Sequence, residues 1–323
     1  MTTEKSLQGF PLQDPVPLPA CPGWPRDALH YFDRRQVIAL LAARAVDRPL
    51  LVRGEPGSGK TQLARATAQV LRMPLAVLVV NERTETEDLF WQYDALRRLS
   101  DANDPSTGVA DEKTYLSAGP LWWALNPVSA YKHKGRRSAA PYMGVKDEQR
   151  SFDNGVLLLI DEIDKADRAV PNSLLEALGN YSFDVPYLGE RIDCGKHKPL
   201  IIITTNNEQA LPPAFERRCL TLDLSLPDKP EDEQRFVALL EQRGKGLFGD
   251  RMHNQEIFAE VARQIWNKRQ QLKKAGESRR PGLAEYLDHL EAILAIRRYH
   301  PRTDEMAASK ELAELTYEKY GTR

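Results

Sequence analysis

Cysteine is scarce in this chain. Cys21, Cys194 and Cys219 are scattered and odd in number. They argue against a disulfide framework or a cysteine-based zinc site and fit a reducing cytosol. Charge of one sign is lacking too. The 45 basic residues face 46 acidic ones, a formal net charge of −1. Composition therefore gives no hint of a nucleic-acid or membrane partner. No apolar run approaches the length of a membrane span, and Met1–Phe10 is mostly polar, without the apolar core of a signal peptide. A soluble, cytoplasmic protein is expected. The 323 residues, 41% of them hydrophobic, allow a sizeable core and about two domains.

Residues 1–27 form a proline-rich arm, with Pro11, Pro15, Pro17, Pro19, Pro22 and Pro25. It reads as extended chain rather than helix or strand, either a disordered tail or a strap packed across the core. A helix follows, with Val37, Leu40, Leu41 and Ala45 near one face. Then come five strand candidates: Leu50–Val52, Leu75–Val80, Val156–Ile160, Leu200–Ile203 and Cys219–Leu224. The first four are continuously apolar. The fifth alternates through Thr221 and Asp223, which places it nearer an edge. Apolar runs separated by helices indicate buried parallel strands, an α/β domain over 28–226. From about Pro227 strand-like runs cease. Glu233–Gln242, Gln255–Lys274 and Leu283–Arg297 read as helices of a second domain, 227–323.

Gly54-Glu55-Pro56-Gly57-Ser58-Gly59-Lys60-Thr61 matches the phosphate-binding loop G-x-x-x-x-G-K-[ST]. A short apolar run, Leu50–Val52, enters it. Leu63, Ala66, Thr67, Val70 and Leu71 leave it at helical spacing. Glycines let backbone N–H groups wrap a phosphate, and the helix N-terminus favours the anion. Lys60 can reach the β- and γ-phosphates, and Thr61 offers a hydroxyl to Mg²⁺. The bland alternative is a glycine-rich turn that binds nothing.

The run Val156–Ile160 ends in Asp161-Glu162. A buried strand delivers such residues to the carboxyl edge of the sheet, where ligands bind in open α/β sheets. Asp161 can help hold Mg²⁺, and Glu162 can polarise a water for attack on the γ-phosphate. Ile201–Ile203 leads into Thr204-Thr205-Asn206, and an asparagine there could orient that water or merely make a polar turn. Arg217 and Arg218 precede the last strand. They are either surface charges or a cation offered to a neighbouring subunit's nucleotide. Lys132, Lys134, Arg136 and Arg137 make 131–150 locally basic, as a surface loop or as a partner contact.

In their order and spacing these residues resemble the AAA+ ATPases, and more closely the MoxR family, over roughly residues 30–300. The resemblance implies an α/β phosphate-loop domain with a parallel sheet, followed by a small all-helical lid. It makes Gly54–Thr61 and Leu157–Glu162 the two nucleotide motifs. Asn206 takes the place of sensor 1, with Asn207 as the alternative, and Arg218 that of the arginine finger, with Arg217 as the alternative. Tyr181–Leu200 resembles the hairpin before sensor 1. Thr84–Pro120 resembles the helix-2 insertion, ending in Ala118-Gly119-Pro120-Leu121. The lid's sensor-2 arginine is expected near Arg279 or Arg280, slightly upstream of its usual place.

The implied nucleotide contacts are Glu55, Pro56, Gly57, Ser58, Gly59, Lys60, Thr61 and Gln62, with Arg280 from the lid. Thr61 and Asp161 are implied to hold Mg²⁺. ATP would be hydrolysed at subunit boundaries of a ring, a hexamer by resemblance. Hydrolysis would remodel or mature another protein, with a von Willebrand A domain protein as a plausible partner. The alternative is a nucleic-acid-dependent motor or restriction component, supported only by the 131–150 segment. A small-molecule kinase is a third reading, disfavoured by the carboxylate pair.

Overall fold

The computed structural model describes residues 6–12, 14–104, 108–133, 140–144, 150–277 and 280–317. The chain divides into two compact units. The first contains residues 6–12, Phe32–Arg53 and Leu63–Asp223. The second contains Asp14–Tyr31, Gly54–Gln62 and Leu224–Arg323.

The first unit is built on a five-stranded parallel sheet. Its spatial order is Leu220–Asp223, Leu50–Arg53, Leu200–Thr205, Leu157–Asp161 and Leu75–Val79. The three central strands are almost wholly buried, as their unbroken Leu, Ile and Val content requires when helices cover both faces. The alternating strand lies at one edge, with Thr221 and Asp223 exposed. The other edge is Leu75–Val79, although its sequence reads as fully apolar. There Val79 is exposed, and Leu75 bridges antiparallel to Tyr142.

The helix before the sheet spans Arg34–Ala45 and starts on a capping box. The Gln36 amide donates to Asp33 Oδ1 (2.8 Å), and the Asp33 amide donates to Gln36 Oε1 (3.3 Å). Its buried face is Gln36, Val37, Leu40 and Ala43. Ala45, expected on that face, is exposed at the last turn. Antiparallel strand pairs decorate the unit. Ser6–Leu7 pairs with Phe10–Pro11. Trp91–Tyr93 pairs with Leu116–Ala118, and Ser182–Val185 with Glu190–Asp193. Trp122 and Phe183 meet edge to face in the core beneath them.

The second unit has its own core, including Phe236, Phe258, Ile265, Tyr286 and Leu290. Its main helices are Glu233–Phe248, Ile257–Lys274, Leu283–Tyr299 and Glu305–Tyr317. The first runs a turn and a half beyond the expected Gln242. It passes through Gly244 and Gly246, which punctuate a sequence but here make room. A Cβ at Gly244 would fall 2.3 Å from Tyr286 Oη. The helix Glu305–Tyr317 adds a further segment to the three named from sequence within the expected helical domain 227–323.

The proline-rich arm also departs from expectation, because it contains strand. Val16–Leu18 pairs antiparallel with Ala28–His30. Val16 and Leu18 are buried, and Pro17 points outward. A two-stranded ladder is all edge, so a proline without an N–H is tolerated in it.

Candidate functional site

In the first unit, register decides which side chains meet. Ile203 pairs with Ile160 across the parallel strands, so the next residues, Thr204 and Asp161, come side by side at the carboxyl edge. The fully buried Thr204 hydroxyl donates to Asp161 Oδ1 (2.5 Å) and accepts from the Glu162 amide (2.9 Å). Glu162 stands in the left-handed region (φ 63°, ψ 47°), a conformation that costs an L-residue about 1–2 kcal/mol. The Thr204 bond to its amide helps hold it there.

Each Glu162 oxygen has a partner. Oε2 accepts from Lys165 Nζ (2.6 Å), and Oε1 from Asn206 Nδ2 (3.3 Å). The Glu162 hydrogen bond raises the Lys165 pKa. Asn206 is positioned in turn by buried Asp164, which accepts from the backbone amides of Asn206 (3.1 Å) and Glu208 (2.9 Å). Of the two adjacent asparagines, Asn206 is the one whose side-chain amide reaches Glu162. Asn207 adopts φ 59° and donates its amide to Thr205 Oγ1.

The phosphate loop follows the strand Leu50–Arg53 and belongs to the second unit. Lys60 Nζ donates to the carbonyls of Gly54 (2.9 Å) and Glu55 (3.0 Å), and the lysine is buried. Gly57 has φ +76°, and a Cβ there would sit 2.7 Å from Ala284 Cβ. Gln62 folds back, its Oε1 3.2 Å from where a Cβ on Gly59 would stand. The Ser58 hydroxyl is buried and has no hydrogen-bond partner. An orphaned hydroxyl and a lysine, on a loop that a side chain at Gly57 would strain, suit a phosphate group. Pro56 is exposed, and Thr61 is half-buried at the start of the helix Lys60–Val70.

Glu55 reaches away from its own loop. Its carboxylate takes a two-pronged contact from the fully buried Arg269, Nη1 to Oε2 at 2.8 Å and Nη2 to Oε1 at 3.2 Å. Arg280 Nη2 adds a third bond, to Oε1 at 3.2 Å. A second carboxylate, Asp228, accepts from Arg280 Nη1 (2.7 Å) and Arg269 Nη2 (3.4 Å) and pairs with Lys273 Nζ (2.8 Å). Burial pushes the Asp228 pKa up, but Lys273, Arg280 and Arg269 together pull it below its ordinary value. Arg279, the other lid arginine singled out from sequence, lies outside the described residues.

Arg217 and Arg218 end the short helix Pro213–Arg218, and both are exposed. Arg218 Nη1 donates to the Leu175 carbonyl (3.4 Å), while Arg48 donates to the backbone carbonyls of both arginines. A cavity of about 350 Å³ beside Arg218 is lined in part by Leu175, Leu178, Phe215 and Lys198. Burial pushes the neighbouring Cys219 thiol up to about 12, so it is an inert packing residue.

Sequence reasoning did not single out Thr204, Asp164, Lys165, Asp228 or Arg269 for these contacts. A threonine at a strand end and an arginine inside a helix carry no motif, and only strand register and tertiary packing disclose them. Lys132, in the basic segment, is exposed, whereas Lys134, Arg136 and Arg137 lie outside the described residues. Among the described residues no cluster of histidine, cysteine and carboxylate side chains could hold a metal unaided, and no helix is long and apolar enough to cross a membrane.

No curated protein matches the chain. Among solved structures, NtrX from Brucella abortus is similar at 15% identity and a TM-score of 0.45, over 86% of this chain and 52% of NtrX. NtrX in complex with ADP gives 14% identity and a TM-score of 0.41, over 82% and 49%. A candidate ATPase from Cytophaga hutchinsonii gives 12% identity and a TM-score of 0.38, over 86% and 78%. The chain spans about half the length of NtrX. The model of the AAA domain, dynein-related subfamily, matches residues 49–219, more than half of the chain. With its five-stranded parallel sheet and additional C-terminal helices, the chain belongs to the dynein-related subfamily of AAA domains, within the AAA+ ATPases.

Proposed function

We propose that this protein hydrolyses ATP to ADP and phosphate as a MoxR-like AAA+ ATPase and uses the cycle to remodel or mature a partner protein. One observation carries the reading. Glu162 is held by its backbone and by both carboxylate oxygens at the carboxyl edge of the sheet, beside the strand end of Asn206. That is the arrangement expected of a base that must be aimed before it acts.

The loop residues Glu55–Gln62 would bind the phosphates through backbone N–H groups, the Ser58 hydroxyl and Lys60. Thr61 and Asp161 would hold Mg²⁺, which when bound offsets phosphate charge. Glu162 would accept the proton of a water as its oxygen bonds to the γ-phosphorus and the bond to the β-phosphate oxygen breaks. Asn206 would orient that water. Arg218, or Arg217 beside it, would act on the nucleotide of a neighbouring copy in a ring, proposed to be a hexamer. Arg280 would report on the nucleotide from the helical unit. The partner is a client or a von Willebrand A domain protein, in the cytoplasm.

Calorimetry and phosphate release on three proteins test this. The wild type should bind and hydrolyse ATP. Lys60→Ala should lose binding, and Glu162→Gln should bind but not turn over. Equal loss of binding in both variants would overturn the assigned roles. Glu162→Gln should also retain the client during native purification, for identification by mass spectrometry.

A further inference from the structure

Glu55 has no duty that the phosphate-loop pattern asks of it, since any residue fits that position. Yet both its oxygens are committed to guanidinium groups. The two arginines are held unequally. Arg269 is fully buried, makes two bonds to Glu55, one to Asp228 and one to the Pro281 carbonyl (2.8 Å), and lies over the Phe236 ring (5.5 Å). It cannot leave without stranding a buried charge. Arg280 makes one bond to Glu55, at 3.2 Å, and one to Asp228, and its side chain is partly exposed. Three cations, Arg269, Arg280 and Lys273, share two carboxylates. The cluster thus has capacity for one more anionic group, and of the two arginines on Glu55, Arg280 is the one that can serve it at lower cost.

We propose that Glu55 is an internal competitor of nucleotide phosphate for Arg280. The carboxylate offers Arg280 the oxygens a phosphate would offer. Phosphate entering the loop exchanges the Glu55–Arg280 contact for a phosphate–Arg280 contact, while Arg269 retains Glu55 and Lys273 retains Asp228. Glu55 thereby sets the affinity of the loop as a positioning residue. This rests on the reading that the loop binds ATP.

The test is calorimetric titration of the full chain with ADP and with a non-hydrolysable ATP analogue. Wild type, Glu55→Gln, Arg280→Met, the double variant and Asp228→Asn are compared, with thermal melts establishing that each is folded. Wild type that binds neither nucleotide would defeat the ATPase reading and the competition with it. Given wild-type binding, Glu55→Gln should tighten it by roughly three- to tenfold, the scale of one partly exposed ion pair released. Arg280→Met should weaken binding, and the gain from Glu55→Gln should vanish in the Arg280→Met background. Asp228→Asn, which loosens Arg280 from its other side, should also tighten binding and serves in place of Glu55→Gln if that variant does not fold. Weaker or unchanged affinity in Glu55→Gln would overturn the proposal. So would a gain that persists without Arg280, which would be a net-charge effect alone.

Discussion

Lys165 Nζ lies 2.6 Å from Glu162 Oε2, three residues away along one short turn. In the proposed role of Glu162 as base, Lys165 acts only through that carboxylate, so removing it should disturb aim rather than substrate binding. Lys165→Met is expected to lower kcat about tenfold with KM unchanged, because an aimed acid–base group contributes roughly 10²–10⁴-fold and Asn206 still holds its other oxygen. Lys165→Arg should restore most of the rate. A KM change of similar size would place Lys165 in substrate binding instead.

Thr204→Val keeps the shape of the side chain and deletes the hydroxyl shared by Asp161 and the Glu162 amide. Leaving that amide unsatisfied costs about 1–3 kcal/mol. The expected result is a modest drop in denaturation midpoint with a loss of turnover of at least tenfold. A stability loss without a rate loss would make Thr204 structural only.

Much of this was legible beforehand, and the reasons are physical. The five strands were readable because parallel strands covered on both faces must be apolar throughout, as Leu157–Ile160 and Ile201–Ile203 are. The turn at Gly54–Thr61 stood out in sequence because its backbone takes positive φ at Gly54, Gly57 and Gly59, where glycine is favoured. Thr204 was not, because its role depends on Ile203 falling opposite Ile160, a register no single strand encodes. Gly244 misled for the opposite reason. Glycine usually ends a helix by freeing the backbone, yet here it is retained because Tyr286 needs the space. Arg269 sits within an ordinary amphipathic helix, where nothing local tells a buried arginine from a solvated one.

Gly57→Ala should leave the fold intact and weaken nucleotide binding more than tenfold. The new methyl group must accept φ +76° and would press on Ala284. Nucleotide titration with a parallel thermal melt checks this. Undiminished affinity would mean that the loop does not hold phosphate in this conformation.

Arg269→Met removes a buried cation from between two carboxylates. Breaking such a pair from one side costs about 3–5 kcal/mol. Urea unfolding should show a loss of that order, and a smaller one for Arg280→Met, whose side chain is 18% exposed. Equal losses would indicate that the two arginines share the load.

His289, buried with Nε2 3.1 Å from Ser309 Oγ, is held neutral by burial, its pKa lowered from 6.5 to about 4. A depressed histidine binds fewer protons folded than unfolded between those values. Its contribution is therefore complete above about pH 6.5 and lost as pH falls toward 4, an order of about 3 kcal/mol. Urea denaturation of the wild type at pH 7 and pH 4.5 should show the decline. His289→Gln should flatten that part of the profile.

The buried clasp of Arg269 on Glu55 also ties two timescales together. A surface loop would normally exchange its amide hydrogens with solvent quickly, whereas the helix Ile257–Lys274, carrying Ile265 and Trp266 in its core, would exchange them slowly. With Glu55 fastened to Arg269 of that helix, the amides of residues 54–62 should be protected along with it, as one cooperative opening unit. Whatever occupies the loop should then slow exchange in a helix it never touches.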